Sequence, residues 1–486
     1  MPPRTVGIVH VLERLHYHQG RMPGRNLVVQ FIGGAVALAS GQSVGREAPS
    51  VHLGAGVASL LGQRIGLPNN SIRILVVCGA AAAIAASFDM PLAGVVFAME
   101  VIMVEYTIAG FVPVILSAVA ATAITRAVFG EETAFLVPLL GLASLWELGF
   151  IILMAGLIGV ISALFVGAIR ALGRTVVRVH VMLQLTATGC FVGALGVAVP
   201  EALGLGYDTA NTTIAGHLGV LSIITVFVAK FAASGLCAAV RMPGGLIGPS
   251  VLMGCLLGAC FAKLIVIVPG VAVHPALYAM LGMGAMMGAV LQAPLAALLA
   301  LLEMTGNPLI IMPGMLAVVS ANLTAKIVFK QESVFTHLIR DAGLDYRQDP
   351  LSQSLRRIGV AAVMNRSFEH SPRHLNVEQV RELLTRGPQW IIVESEVERP
   401  LLLQASDLAR YVESQPDEDV DLVAIPADRY ELAPIHLQAN LFEARELLLS
   451  EDADVLYVRR PSAPMSFRTF GVLRREEVES AYEFRR

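Results

Sequence analysis

Two short stretches decide the fold of this sequence: GREAPS at Gly45–Ser50 and GGLIGPS at Gly244–Ser250. Both place Pro-Ser at the start of an apolar segment. Some forty residues later, each copy continues with Pro-Leu-Ala and a second apolar segment, in MPLAGVVFAME (Met90–Glu100) and APLAALLALLEM (Ala293–Met304). Duplicated helices that are interrupted by glycine and proline build ion sites near the bilayer midplane. The repeat therefore predicts a transport pathway inside a membrane protein.

The composition predicts that most of the chain lies in lipid. The 486 residues are 55% hydrophobic and 15% charged, whereas soluble proteins carry about 25% charged residues. A net charge of −3 and the lack of basic runs argue against a nucleic-acid partner. The five cysteines have neither paired nor metal-type spacing, so we expect buried thiols. No HExxH motif or nucleophile set occurs, and we predict that the protein is not an enzyme and needs no cofactor or metal.

Acidic residues mark a domain boundary. Of the 38 acids, 23 lie between Leu351 and Arg486, which leaves 15 for the longer part before them. We predict a membrane domain over residues 1–350 and a soluble domain over residues 351–486. The membrane domain contains nine apolar stretches, and several of them reach the ~20 residues that a spanning helix needs. These are Leu27–Ala39, Ile74–Met103, Phe111–Val128, Leu148–Val166, Val179–Val199, Leu218–Val240, Leu246–Val268, Leu277–Leu302 and Leu309–Val328.

The candidate chemistry of the first copy is concentrated in Glu47. An ionisable residue at the start of an apolar helix is costly to bury and is a functional candidate. Helix N-termini carry free N–H groups that suit a carboxylate or a small anion. The alternative is a structural ion pair between Glu47 and Arg46. The second copy offers only the amide donors of Leu246 and Ile247, and two such half-sites predict an anion site.

These segments resemble a known family. GREAP is similar to GREGP, and MPGGLIGPS to the GGxFxP segment, of the CLC chloride channels and chloride/proton exchangers. Further similar stretches are GLGYDT and LGMGAMMGAVLQAPLAALLALLEMT. The resemblance implies an all-α polytopic membrane protein, built as an inverted repeat of broken helices, that forms homodimers with one chloride pathway per subunit. The family's leading helices would precede the first residue of this sequence, so we expect a truncated start.

The resemblance also implies individual roles. Glu47 would be the external gate, whose carboxylate occupies an anion position and leaves it when protonated. The chloride-binding positions would be Val6, Arg46, Glu47, Ala48, Leu246, Ile247 and Phe335. Val6 and Phe335 stand where the family has a serine and a tyrosine. Because neither side chain can donate a hydrogen bond, we expect a weak central site that depends on backbone amides.

The proton path departs from the family's pattern. The exchangers carry an internal proton-relaying glutamate where this chain has Val101. Glu105, about one helical turn further on, is a possible substitute. We therefore expect a voltage- or glutamate-gated chloride channel, with an alternative of a chloride/proton antiporter whose internal proton path is altered. Glu100 and Glu303 are interpreted as structural acids at helix ends.

The tail alternates strand-like and helix-like segments, which suits an α/β domain. Predicted strands are Trp390–Val393, Val455–Val458 and Gly471–Leu473, and predicted helices are Val377–Leu384 and Leu441–Leu449. The tail resembles the CBS pair of many CLC proteins, which implies a cytoplasmic regulatory domain and, for a bacterial protein, the inner membrane. Gln404 and Arg474 replace the usual Ser/Thr at two strand ends, so adenine-nucleotide binding is doubtful. A dimerising brace is the simpler interpretation.

Overall fold

In the computed structural model, the chain divides into two compact units. The first comprises Met1–Arg64 and Ile72–Tyr346, and the second comprises Ile65–Ser71 and Arg347–Arg486. The described residues are 6–104, 108–130, 135, 140–142, 144–176, 179–267, 273–341, 344, 354–356, 358–394, 399–414, 419–463 and 466–483. The division falls close to the boundary predicted at residue 350.

The membrane unit is built from apolar helices of unequal length. In chain order they are α1 (Ile8–Tyr17), α2 (Gly24–Ala39), α3 (Glu47–Ile65), α4 (Asn69–Phe88), α5 (Pro91–Phe97), α6 (Ile108–Phe129), α7 (Glu147–Val176), α8 (Val181–Ala198), α9 (Tyr207–Ile214), α10 (Val220–Ala239), α11 (Ile247–Ile265), α12 (Pro275–Leu291), α13 (Pro294–Thr305), α14 (Ile311–Leu323) and α15 (Val334–Asp341). Within the described residues, seven helical segments are long and apolar enough to cross a membrane. The predicted mixture of long and short apolar helices is confirmed.

Two of the nine predicted apolar stretches contain two helices each, and the second helix begins at the predicted Pro-Leu-Ala signal. Ile74–Met103 divides into α4 and α5 at Asp89, and Leu277–Leu302 divides into α12 and α13 at Gln292. Both dividing residues have a left-handed backbone, with φ of 59° and 54°. Such a residue ends a helix, and the proline two positions later starts the next one because it needs no intrahelical donor. Hydropathy alone cannot detect this break, since the residues on both sides remain apolar.

The duplicated Pro-Ser signature has the same local structure in both copies. Ser50 Oγ donates to the Arg46 carbonyl oxygen at 2.9 Å, and Ser250 Oγ donates to the Leu246 carbonyl oxygen at 2.6 Å. Each serine thereby bonds back across the first turn of its helix, α3 or α11. The sequence repeat is therefore a structural repeat.

The core of the membrane unit depends on glycine at close helix crossings. A Cβ atom at Gly254 of α11 would meet the Gly282 carbonyl group of α12, and the converse also holds. Small residues let helix backbones approach closely where lipid provides no hydrophobic drive for association. Nearly all side chains of α12 are buried, so α12 is central to the unit.

The C-terminal unit is an α/β domain. Its strands are β1 (Phe368–Ser371), β2 (His374–Leu375), β3 (Trp390–Val393), β4 (Leu401–Gln404), β5 (Val420–Asp421), β6 (Arg429–His436), β7 (Val455–Ala463) and β8 (Ser466–Arg474). Its named helices are α16 (Val377–Thr385), α17 (Ala405–Ser414), α18 (Leu441–Ser450) and α19 (Arg475–Glu483). Six strands form one sheet in the order β1-β3-β4-β6-β7-β8, while β2 and β5 pair separately. The predicted strands and helices of this unit are confirmed.

A β-α-β-β-α pattern occurs twice in this unit. Parallel pairing of β1 with β3 and antiparallel pairing of β3 with β4 recur in β6, β7 and β8. Both α16 and α18 begin with a capping box, formed by Asn376 with Gln379 and by Asn440 with Glu443. In each box two backbone donors at the helix start are satisfied by side chains. The unit is thus an internal tandem repeat.

Candidate anion pathway

The two duplicated turns meet in space and hydrogen-bond to each other. The Gly45 N–H donates to the Gly245 carbonyl oxygen, and the Gly245 N–H donates to the Gly45 carbonyl oxygen, both at 2.7 Å. This antiparallel bridge holds the starts of α3 and α11 beside each other. The first N–H groups of any helix have no partner within the helix. Two sets of unpaired donors therefore lie side by side.

The Glu47 side chain occupies the space between these turns. It is completely buried. A Cβ atom added to Gly245 would lie 2.7 Å from Glu47 Oε2, and one added to Gly248 would lie 3.1 Å from Glu47 Oε1. A Cβ atom added to Gly45 would collide with the Glu47 carboxylate. Three glycines thus leave the room that the carboxylate fills.

Tyr207 is the side-chain partner of Glu47. Its hydroxyl donates to Glu47 Oε1 at 3.4 Å, whereas Oε2 has no hydrogen-bond partner among the described residues. A buried polar oxygen without a partner costs free energy. Tyr207 lies in the family-like stretch GLGYDT, but no role was predicted for it. No sequence signal links two residues so far apart, so the contact comes from the tertiary structure.

The expected alternative for Glu47, an ion pair with Arg46, is wrong. In the described structure, the Arg46 guanidinium donates to the Ser87 carbonyl oxygen. Its Cζ atom lies 5.5 Å from the centre of the Phe88 ring and 5.6 Å from that of Tyr207. These contacts hold the guanidinium without an ion pair to the carboxylate. Arg46 therefore acts on Glu47 only through the field of its charge.

Three consecutive residues face different spaces. Arg46 lines two larger cavities of about 730 and 700 Å³, which also share Tyr207 and are called the entrance cavities below. Ala48 lines a smaller cavity of about 80 Å³, called the central cavity. Glu47 lies between them in the chain. The residues on either side of Glu47 therefore line cavities of two kinds.

The central cavity collects most of the predicted chloride positions. Its lining includes Val6, Ala48, Leu246 and Phe335, together with backbone of Gly244 and Gly245. Each named side chain lies at or near the beginning of a helix, namely α1, α3, α11 and α15. Helix N-termini favour negative charge, and the volume exceeds what one water molecule needs. Four positive helix ends around one cavity make a site for a small anion.

Ile247 is separated from this group, because it lines a neighbouring apolar cavity with Gly248 and Val251. Phe335 contributes no free amide either, since its N–H donates to Ser333 Oγ at 3.3 Å. None of the described side chains that line the central cavity carries a hydroxyl, but Arg241 lies among them. A small anion there would meet backbone donors and one arginine.

Of the two predicted internal proton-path positions, the structure describes Val101 but not Glu105. Val101 is buried in the π-helical turn Ala98–Met103, which continues α5. Glu105 lies outside the described residues. His16 Nε2 lies 3.3 Å from the Ile102 carbonyl oxygen, beside the same turn.

Glu100 and Glu303 cap helices reciprocally. The Glu100 carboxylate accepts from the Ala296 N–H at 2.7 Å and from the Leu295 N–H at 3.3 Å, at the start of α13. In return, Glu303 accepts from the Leu92 and Ala93 N–H groups at 2.9 and 2.7 Å, at the start of α5. A carboxylate at a helix N-terminus satisfies free donors and the helix dipole. The geometry matches the structural interpretation of both acids.

A buried carboxylate beside a cavity surrounded by helix N-termini, within a repeat of broken membrane helices, defines an integral membrane protein that transports anions. The sequence profile of the family described as "Voltage gated chloride channel" matches residues 2–326. The chain belongs to this CLC family and is a chloride-transport protein. Family membership also confirms that it is not an enzyme.

Bacterial relatives include proteins named as channels and proteins named as exchangers. A putative chloride channel protein ClcB-like from Ralstonia nicotianae is 34% identical over 332 residues, which cover 66% of this chain and 76% of the relative. An H⁺/Cl⁻ exchange transporter ClcA from Vibrio cholerae is 32% identical over 315 residues, which cover 63% of this chain and 67% of the relative.

Solved structures support the fold. A slow cyanobacterial Cl⁻/H⁺ antiporter has a TM-score of 0.64 and 23% identity over 71% of this chain and 82% of its own. A eukaryotic CLC transporter has a TM-score of 0.58 and 20% identity, and it covers 97% of this chain and 84% of its own. The predicted fold class, a CLC-type helical repeat followed by an α/β domain, is confirmed.

Proposed function

We propose that the protein is a chloride/proton exchanger in which the Glu47 carboxylate occupies an anion position and leaves it when protonated. The observation that carries this proposal is the complete burial of the Glu47 carboxylate beside the bridged starts of α3 and α11, with Oε2 unpartnered among the described residues. A side chain in this position blocks the pathway. A protonated side chain no longer competes with chloride for the amides.

The anion would be held mainly by backbone donors. The amides of Leu246 and Ile247 at the start of α11 supply fixed donors on one side, while Arg46 and Ala48 flank the movable carboxylate on the other. Val6 and Phe335 add apolar surface to the central cavity. Each missing hydroxyl bond to a charged partner is worth about 1.5–3 kcal/mol. We therefore propose that the central site binds chloride weakly.

The exchanger is favoured over the sequence-based preference for a channel by several relatives named H⁺/Cl⁻ exchange transporters. A second candidate function is passive chloride conduction. Conduction is favoured by Val101, because a buried valine cannot carry a proton. It is also favoured by the Ralstonia relative, which is named as a chloride channel protein. An exchanger with Val101 must use an altered internal proton path, for which Glu105 was the sequence-based candidate.

Flux from proteoliposomes tests the proposal. Liposomes that contain the full chain are loaded with chloride, and chloride efflux and proton movement are recorded together. We expect a chloride gradient to drive proton uptake against a proton gradient. Chloride efflux without proton movement would instead support the channel.

Glu47→Gln is the matched variant, because it keeps the side-chain volume but cannot exchange protons. We expect it to abolish proton uptake while chloride still passes. Unchanged coupling in Glu47→Gln would contradict the role of Glu47 in the exchanger.

We further propose that the C-terminal unit is a CBS-like pair on the cytoplasmic side of a bacterial inner membrane, acting as a brace in a homodimer. The repeated β-α-β-β-α pattern and its two capping boxes support this interpretation. Arg474 is held by Glu476 and Glu477 and lies over the Trp390 ring, with Cζ 5.1 Å from its centre. Because this guanidinium is already occupied, we expect no measurable ATP binding by isothermal titration.

A further inference from the structure

Lys230 is a completely buried lysine on α10. Its ammonium group donates to the Gly204 carbonyl oxygen at 2.6 Å and to the Ala202 carbonyl oxygen at 3.2 Å. No carboxylate of the described residues lies within ion-pair distance of it. Buried charges are ordinarily paired because desolvation is costly. An unpaired buried cation next to an anion pathway requires an explanation.

The carbonyl groups that Lys230 holds belong to the chain segment that positions Tyr207. Gly204 lies three residues before Tyr207, whose hydroxyl contacts Glu47. The Ala202 carbonyl oxygen also accepts from Ser43 Oγ at 3.1 Å, and Ser43 lies two residues before Gly45. Lys230 therefore supports two segments that approach Glu47 from different directions.

The orientation of these carbonyl groups matters for an anion. Backbone of Gly204 lines an entrance cavity, yet its carbonyl oxygen points to the Lys230 ammonium. A carbonyl oxygen that faced the pathway would repel chloride. The link between Lys230 and the site thus runs through the backbone segments that lead to Tyr207 and Gly45.

We propose that Lys230 is a positioning residue for transport: its buried positive charge stabilises whichever anion occupies the Glu47 position, the carboxylate or a chloride ion. The inference rests on the proposed function, because it requires that chloride takes the place of the carboxylate. At an effective dielectric constant of about 20, a buried charge near an anion changes its affinity by about tenfold or more.

The test is chloride binding to purified full-length protein by isothermal titration in a Glu47→Ala background, where no carboxylate competes. Lys230→Gln keeps a side-chain donor but removes the charge, and we expect about tenfold weaker chloride binding. Lys230→Arg keeps the charge, and we expect affinity within about twofold of the Glu47→Ala parent. Lys230→Met is measured in parallel as a second neutral variant, so that a folding failure of one does not decide the result.

Lys263 offers a matched control. It donates to the Leu218 and Gly216 carbonyl oxygens at 2.6 and 3.2 Å, the same two distances, but it lies on α11 and is only half-buried. We expect Lys263→Gln to bind chloride as the parent does. A Lys230→Gln or Lys230→Met protein that folds and binds chloride normally would overturn the inference, and so would equal weakening by Lys263→Gln.

The two proposals fail in different ways. Normal chloride binding by the Glu47→Ala parent and by the neutral Lys230 variants overturns the inference alone. Absence of chloride binding in both the wild-type and the Glu47→Ala protein overturns the anion site itself, and the inference with it.

Discussion

Glu47 is a buried acid whose two oxygens differ in their surroundings. Oε1 accepts one long hydrogen bond from Tyr207, while Oε2 has no partner among the described residues. Such a carboxylate is held weakly by side chains, and otherwise by the backbone of Glu47 and Gly248 and by the space that the glycines leave. Small changes at Tyr207 or at the glycines should therefore shift how often the position is occupied.

We predict that Tyr207→Phe increases chloride flux several-fold at neutral pH. The change removes the only side-chain donor that the structure gives to Glu47, and a long bond to a charged group contributes about 1 kcal/mol. Chloride efflux from proteoliposomes is the measurement. Tyr278→Phe is the control, because the buried Tyr278 hydroxyl has no partner among the described residues. Equal flux in the two variants would argue against a contribution of Tyr207 to the gate.

We predict that Gly245→Ala prevents Glu47 from occupying its position. The new Cβ would lie 2.7 Å from Oε2, which is closer than nonbonded contact allows. Flux and coupling should then be the same in Gly245→Ala and in the double variant with Glu47→Gln. Gly193→Ala on α8 is the control, since an added Cβ meets nothing within 4 Å. A further effect of Glu47→Gln in the Gly245→Ala background would contradict the prediction.

At the scale of elements, the short helices α5 and α13 lack the length to be stable alone. Each begins with proline and receives a carboxylate from the other copy, so Glu303 caps α5 and Glu100 caps α13. The two halves of the repeat are thus fastened to each other by backbone donors and side-chain acceptors. These acids belong to the framework of the pathway.

We predict that Glu100→Ala and Glu303→Ala each destabilise the membrane unit by about 0.5–2 kcal/mol, the usual cost of losing a helix cap. The double variant should lose more than either, with some non-additivity because α5 and α13 are in contact. Thermal unfolding in detergent is the measurement. Glu201→Ala, at an exposed acid, should change stability by less than about 0.5 kcal/mol. A stable Glu100→Ala protein with altered proton coupling would instead assign this acid to transport.

At the scale of the whole molecule, the two units use charge differently. In the membrane unit, Glu47 and Lys230 are completely buried, while the C-terminal unit carries exposed ion pairs. In one of these, Arg373 Nε and Nη2 donate to the two carboxylate oxygens of Asp421, both at 2.9 Å. The Arg373 guanidinium lowers the pKa of Asp421 to about 2.

This pair predicts a small pH dependence of stability. A depressed pKa stabilises the folded unit above the unfolded pKa of about 4, and this contribution is lost as the pH falls through about 2. Because the pair is mostly exposed, it is worth less than about 1 kcal/mol at neutral pH. Arg373→Met should lose this amount at pH 7, and the difference from wild type should shrink below pH 5. Trp390 fluorescence during urea unfolding of a Trp146→Phe protein reports on this unit. A difference that grows in acid would contradict the assignment.

Part of the site could be predicted from the sequence because it depends on local patterns. The duplicated Pro-Ser and Pro-Leu-Ala signals marked the helix starts, and the apolar surroundings of Glu47 marked it as functional. Hydropathy did not show where α4 and α12 end, since Asp89 and Gln292 are left-handed residues between apolar segments. Tyr207 and Lys230 were missed because each acts across a long separation in sequence.

The sequence alone determined that this is a membrane protein with a duplicated core, that one copy carries a titratable group where the other carries none, and that an α/β domain follows. These properties are local, because they depend on residue type and spacing. The tertiary structure decided that Gly45 and Gly245 hydrogen-bond to each other and that Arg46 donates to Ser87 and forms no ion pair with Glu47. It also decided that Lys230 donates to Gly204, in the segment that leads to Tyr207. Those choices depend on which distant backbone and side-chain groups meet, and packing of the whole helical unit fixes that.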